Sequence, residues 1–107
     1  MTAIQHIVLL KFPRALTADE ERWMFDVVGA WRQEIPGLVR LRLGKDVGGR
    51  NGGYDYLLLT EFESREAMEA YFPHPKHQEF ATWVAEMQTD VLRNDYPLDD
   101  STRLLEP

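Results

Sequence analysis

The chain has 107 residues, 44% hydrophobic and 28% charged, and it contains no cysteine. These values describe one globular domain with a modest core, and they exclude disulfides, thiolate nucleophiles and cysteine-based zinc sites. A formal charge of -6, with 18 Asp and Glu against 12 Lys and Arg, argues against a nucleic-acid partner. Arg40 and Arg42 are the nearest approach to a basic stripe. No apolar run reaches membrane-span length, and the first one is too short for a signal peptide and holds His6 and Lys11. We therefore expect a cytoplasmic protein with no membrane contact.

The first predicted element is a strand over Ile4 to Phe12. Ile4, His6, Val8, Leu10 and Phe12 share one face, and Ile7 and Leu9 occupy the other. Both faces are largely apolar, so both need cover. Thr17-Ala18-Asp19-Glu20 is a capping box, with Thr17 as N-cap and Glu20 at N3. The helix it opens places Trp23, Met24, Val27, Val28, Trp31 and Ile35 at spacings of three and four. We read Trp23 and Trp31 as core. Pro36-Gly37 ends the helix.

Leu38 to Val47 is the second strand, with Val39, Leu41 and Leu43 on one face and Leu38, Arg40 and Arg42 on the other. Gly48 to Gly53 is a hairpin loop that lacks the spacing of a phosphate cradle. A loop of this composition is also long enough to cover a pocket mouth. The third strand runs from Tyr54 to Phe62. Ser64 caps a helix ending at Tyr71, a second helical segment spans Lys76 to about Glu86, and Thr89 to Tyr96 is a fourth strand. Residues 1–97 form the domain and 98–107 a tail, which either frays or lies on a partner.

Between the last two helices lies Tyr71-Phe72-Pro73-His74-Pro75-Lys76-His77. Pro75 suits a helix's first turn, and residues before prolines avoid the α region, so Phe72 and His74 should be extended or turn-like. Tyr71 then closes one helix and His77 opens the next. A hydroxyl and two imidazoles at this hinge, with His6 in the first strand, suggest a polar pocket.

The order β-α-β-β-α-β with right-handed crossovers places the helices on one face of a four-stranded antiparallel sheet, an α+β ferredoxin-like fold. Apolar residues on the other face, among which we place Val8 and Leu10, would meet water in a monomer. A symmetric homodimer stacking the two sheets would bury them.

His6-Ile7-Val8-Leu9-Leu10-Lys11-Phe12, Ile35-Pro36-Gly37, Phe62-Glu63-Ser64, Tyr71-x-x-His74-Pro75-x-His77 and Asp95-Tyr96 resemble the stress-responsive A/B barrel (Dabb) domain family over about residues 3 to 97. The resemblance implies a dimeric α+β barrel. It also brings in a plant polyketide cyclase of that family, which closes a linear tetraketide by intramolecular aldol condensation without a cofactor. Its catalytic histidine matches His77, its catalytic tyrosine Tyr71 and its first-strand histidine His6; His74 matches a further histidine there. The side chains that would line a substrate tunnel differ, so the polar machinery carries over better than the substrate.

On this basis His77 is the expected general base, Tyr71 the donor to a developing oxyanion, and His6 a group that orients the other imidazole or the substrate. The expected ligand is a hydrophobic small-molecule carbonyl compound, with no cofactor and no metal. Three rival readings use the same residues. One is a non-catalytic stress-responsive dimer. Another is a metal enzyme using His74, His77 and His6, with a position left open for water. The third is a cofactor-free monooxygenase or haem-linked protein on a similar dimeric fold.

Overall fold

The structure, a computed structural model, describes residues 2–102. Its elements are β1 (Ile4–Lys11), α1 (Ala18–Gly29), α2 (Trp31–Glu34), β2 (Leu38–Lys45), β3 (Tyr56–Phe62), α3 (Arg65–Tyr71), α4 (Pro75–Glu86) and β4 (Asp90–Pro97). The strands form one sheet in the order β2-β3-β1-β4, and every neighbouring pair is antiparallel. This is the ferredoxin-like arrangement, with its helices on a single face. Among the described residues, no helix is long and apolar enough to cross a membrane.

The side-chain period of two decides which residues meet those helices. His6, Val8 and Leu10 of β1 are buried, as are Tyr56, Leu58, Thr60 and Phe62 of β3. Val8 and Leu10 therefore lie under the helices, not on the open face where the sequence placed them. The open face carries Ile7, Leu9, Leu57, Leu59, Leu92 and Tyr96 instead. With both faces of β1 apolar, alternation separates the two sets without saying which one the helices cover.

The Thr17 capping box forms as expected, its hydroxyl accepting from the Glu20 amide at 3.1 Å while the Glu20 carboxylate accepts from the Thr17 amide at 2.8 Å. The long first helix breaks, however, at Gly29-Ala30. Glycine in a helix interior costs about 0.5–1 kcal/mol relative to alanine, and here the chain turns into the separate short helix α2. Trp31 heads that helix and is fully buried. Trp23 is corrected from core to rim: it is 37% exposed and stacks on Trp83 with 5.0 Å between ring centroids.

β2 also departs from plain alternation. A register shift between Leu38 and Arg40 turns Leu38 into the core with Leu41 and Leu43 partly covered, and leaves Val39 exposed. Gly37 has φ +81°, and a Cβ there would come within 2.6 Å of the Ala67 Cβ. Only glycine meets both conditions, so α3 can close against the start of β2. In the hairpin loop, the Asp46 carboxylate accepts from the Gly49 amide at 2.7 Å and the Asn51 side chain at 3.0 Å. That loop borders a hollow on the open face, beside Leu9 and Leu57, and not the space beneath the helices. After β4, the Leu98 amide donates to the Ala3 carbonyl at 2.8 Å and residues 99–102 make a turn. The remainder of the tail, 103–107, lies outside the described residues.

Candidate active site

The chain from Tyr71 to His77 builds the site through its unsatisfied backbone groups. Phe72 adopts α-helical angles (φ -57°, ψ -45°) although Pro73 follows, while His74 is extended (φ -62°, ψ 135°). Continuing α3 would pair the Phe72 carbonyl with the amide of residue 76. That amide donates instead to His74 Nδ1 at 3.1 Å, which makes His74 the N-cap of α4. The Phe72 carbonyl is left for side chains. It accepts from His77 Nδ1 at 2.9 Å and from Gln78 Nε2 at 2.6 Å. Trp31 locks the hinge from below, its indole N–H donating to the Lys76 carbonyl at 3.2 Å.

A carbonyl oxygen can only accept, so His77 carries its proton on Nδ1 and leaves Nε2 with a lone pair. Burial, the largest influence, lowers its pKa below the usual 6.5; electrostatic repulsion from the neighbouring His6, Arg93 and His74 side chains acts in the same direction, against the Phe72 hydrogen bond. His77 is thus a neutral base at neutral pH. The Tyr71 ring lies 4.2 Å from the His77 ring, centroid to centroid. Burial pushes the Tyr71 phenol well above its ordinary range, so it remains a proton donor. Among the described residues, no hydrogen-bond partner occupies that hydroxyl.

His6 enters from the sheet, 2% exposed, with its ring 6.1 Å from Tyr71 and 5.4 Å from Phe72. The β1–β4 register sets His6 opposite Asp95. The two side chains meet at 2.5 Å between Nδ1 and Oδ1, an arrangement in which the carboxylate accepts and fixes the ring's orientation. The sequence did not single out Asp95 as a site residue. Its partner lies 89 positions away, and only the strand register brings them together.

His6, Tyr71 and His77 line one cavity of about 280 Å³ between the sheet and α4. Its other walls are mainly apolar, from Val8, Leu10, Leu58, Phe80, Val84 and Val91, with Thr89 and Arg93 as further polar members. The volume is near the low end of small-molecule pockets, ~300–1,000 Å³. The metal reading does not gather its ligands: His74 serves as a helix cap, and no group of three His, Asp or Glu side chains placed to hold a metal occurs among the described residues. What remains is a neutral imidazole base, a phenol donor and a carboxylate-oriented imidazole around an apolar space.

Comparison with known proteins places this geometry in context. The chain is 29% identical over 96 residues to olivetolic acid cyclase of Cannabis sativa, covering 88% of this chain and 95% of that protein. It is 30% identical over 95 residues to the stress-response A/B barrel domain-containing protein HS1 of Arabidopsis thaliana, covering 87% of each. A solved dimeric ferredoxin-like protein of unknown function from Thermobifida fusca matches with a TM-score of 0.79 at 25% identity, over 91% of this chain and 92% of that one. The profile of the stress responsive A/B barrel domain matches residues 4–98. With nearly all of its described length inside that match, the chain belongs to the stress-responsive A/B barrel domain family.

Proposed function

We propose that the protein is a cofactor-independent cyclase of the lyase type, acting on a small poly-β-ketoacyl substrate. The observation that carries this reading is the hydrogen bond from His77 Nδ1–H to the Phe72 carbonyl. It leaves Nε2 unprotonated on the wall of an apolar cavity, beside a phenol whose donor is unengaged. His77 takes a proton from the acidic carbon between two carbonyls. The resulting enolate carbon attacks a second carbonyl of the same molecule, forming the ring bond. Tyr71 donates to the oxygen on which negative charge develops, and the His77 imidazolium returns its proton to that alkoxide. The substrate is isomerised with no net change in its atoms or electrons. His6, held by Asp95, keeps the third side of the site fixed. The likeness to olivetolic acid cyclase supports this chemistry without specifying the ring that is made.

The protein acts, in the same proposal, as a homodimer. The sheet face opposite the helices presents Ile7, Leu9, Leu57, Leu59, Leu92 and Tyr96, and Leu57 and Leu92 are 38% and 47% exposed. A contiguous apolar strip of this kind calls for a partner surface, and a second copy supplies a matching one. The Thermobifida fusca structure is described as dimeric, which agrees with that geometry. Incubating the purified protein with poly-β-ketoacyl acids and thioesters of several tail lengths tests the catalytic part. Faster ring formation than in buffer is expected for at least the shorter members. No acceleration across the panel would favour a non-catalytic dimeric barrel.

A further inference from the structure

The cavity has one permanent charge for which the proposed mechanism has no use. Arg93 lies in the edge strand β4, directly opposite Val8 of β1. That register places it on the helix-facing side of the sheet, one rung from the His6–Asp95 pair, about 6.6 Å along the strand. It lines the cavity yet makes no ion pair and no side-chain hydrogen bond with any described residue. Asp95, the acidic neighbour on the same face, is already engaged by His6. Arg93 is exposed and belongs to the edge strand of the sheet, while most of the cavity's other walls are aliphatic and aromatic. The Thr89 Oγ1, in the same lining, is buried with no hydrogen-bond partner among the described residues. The cavity thus has an exposed, unpaired cation in its wall, a base and a phenol near the His6 rung, and an unpaired hydroxyl beyond the Leu10–Val91 rung.

We propose that Arg93 selects substrates bearing a carboxylate, holding that group at the cavity mouth while the apolar remainder reaches in toward His77 and Tyr71. A guanidinium offers a planar pair of N–H donors that fits both carboxylate oxygens, and this two-point grip sets the ligand's direction as well as its affinity. A ligand entering by its apolar end places its carbonyls over the single step that separates Arg93 from His6. Its carboxylate stays in the wetter mouth, where it need not be fully desolvated. The small cavity limits how much can enter behind that anchor. The inference deepens the proposed function, resting on the cavity as the substrate site, and it defines the substrate as a free keto acid in preference to a neutral ester or ketone.

The test measures binding, so that it does not depend on turnover. Phenylacetate, methyl phenylacetate and phenylacetamide are titrated calorimetrically at pH 7.5 into the full-length wild type and into the Arg93→Ala, Arg93→Lys and His77→Ala variants. Wild type should prefer the acid over both neutral analogues. Arg93→Ala should lose that preference, with roughly a tenfold or greater loss of acid affinity and little change for the ester. Arg93→Lys should recover part of it, since charge is kept and the fork is lost. His77→Ala should keep the preference. Thermal melts close to wild type for the Arg93 variants would show that folding is not the cause. Equal wild-type affinities for acid and ester, no measurable acid binding, or undiminished acid binding by Arg93→Ala would overturn the proposal. Failure of cyclisation with the acid preference intact would remove the cyclase reading alone; cyclisation without any acid preference would remove this inference alone.

Discussion

His77 and Phe72 are joined by a 2.9 Å hydrogen bond in which a ring N–H satisfies the last free carbonyl of α3. The end of α3 and the tautomer of His77 are therefore set by one hydrogen bond. The His74 cap takes the Lys76 amide that would have been that carbonyl's intrahelical donor, and the imidazole that replaces the donor is left with its Nε2 lone pair available. The tautomer follows from the backbone.

The pH dependence follows from that environment. Burial lowers the His77 pKa below 6.5, and the working form in the proposed reaction is the neutral one. Rate should rise with pH on the acid side through a midpoint below pH 6.5, an ascending limb that His77→Ala should lack. The stability effect has the same sign. The unfolded chain binds the proton more tightly, so this histidine favours the fold above about pH 6.5 and ceases to do so as pH falls through its lower folded value. A rate profile rising only above pH 7 would contradict the assignment.

Tyr71→Phe isolates the phenol oxygen while keeping the ring against Trp31, Phe62 and His77. A donor whose bond strengthens as charge develops should lower kcat more than it changes KM when removed. A loss of about 10²-fold is the scale for one such donor. A variant with raised KM and unchanged kcat would make the hydroxyl a binding group only.

Asp95→Asn should free the His6 ring without unfolding the protein, because the Asp95 side chain is 45% exposed while His6 is buried. Nitrogen chemical shifts of the His6 imidazole should report a changed tautomer balance, and activity should fall by less than in His77→Ala. Unchanged His6 shifts would show that the carboxylate does not set the ring's state.

The open sheet face predicts a mass near twice 12.5 kDa by light scattering. Leu57→Glu should shift it toward the monomer by placing a charge in the apolar strip. Val8→Asp should instead lower the melting temperature, because Val8 is 6% exposed beneath the helices. A dimer unaffected at Leu57 but split at Val8 would restore the opposite assignment of faces.

Local chemistry was legible in the sequence wherever a single turn decides it. The Thr17 box, the Ser64 cap, the Pro75 helix start and the meeting of Tyr71 with His77 all follow from residues within a few positions of one another. What the sequence withheld depends on distant register. Alternation in β1 cannot say which face is covered, and neither Asp95 nor Arg93 stands out until β4 pairs with β1. Trp23 sits beside the buried stripe of Met24 and Val28 and stacks on Trp83 from the distant α4, a contact that helical spacing alone does not show. Phe72 took a helical conformation before proline because its carbonyl finds two side-chain donors there, a tertiary gain that outweighs a local preference.

The central claim is that His77 is the general base, and single-turnover cyclisation of a short poly-β-keto acid by wild type and His77→Ala tests it most directly. Removing a general base costs about 10²–10⁴-fold. The account predicts a loss of that size in the chemical step, with the dimer and the binding of phenylacetate retained. Equal cyclisation rates for the two proteins would contradict it.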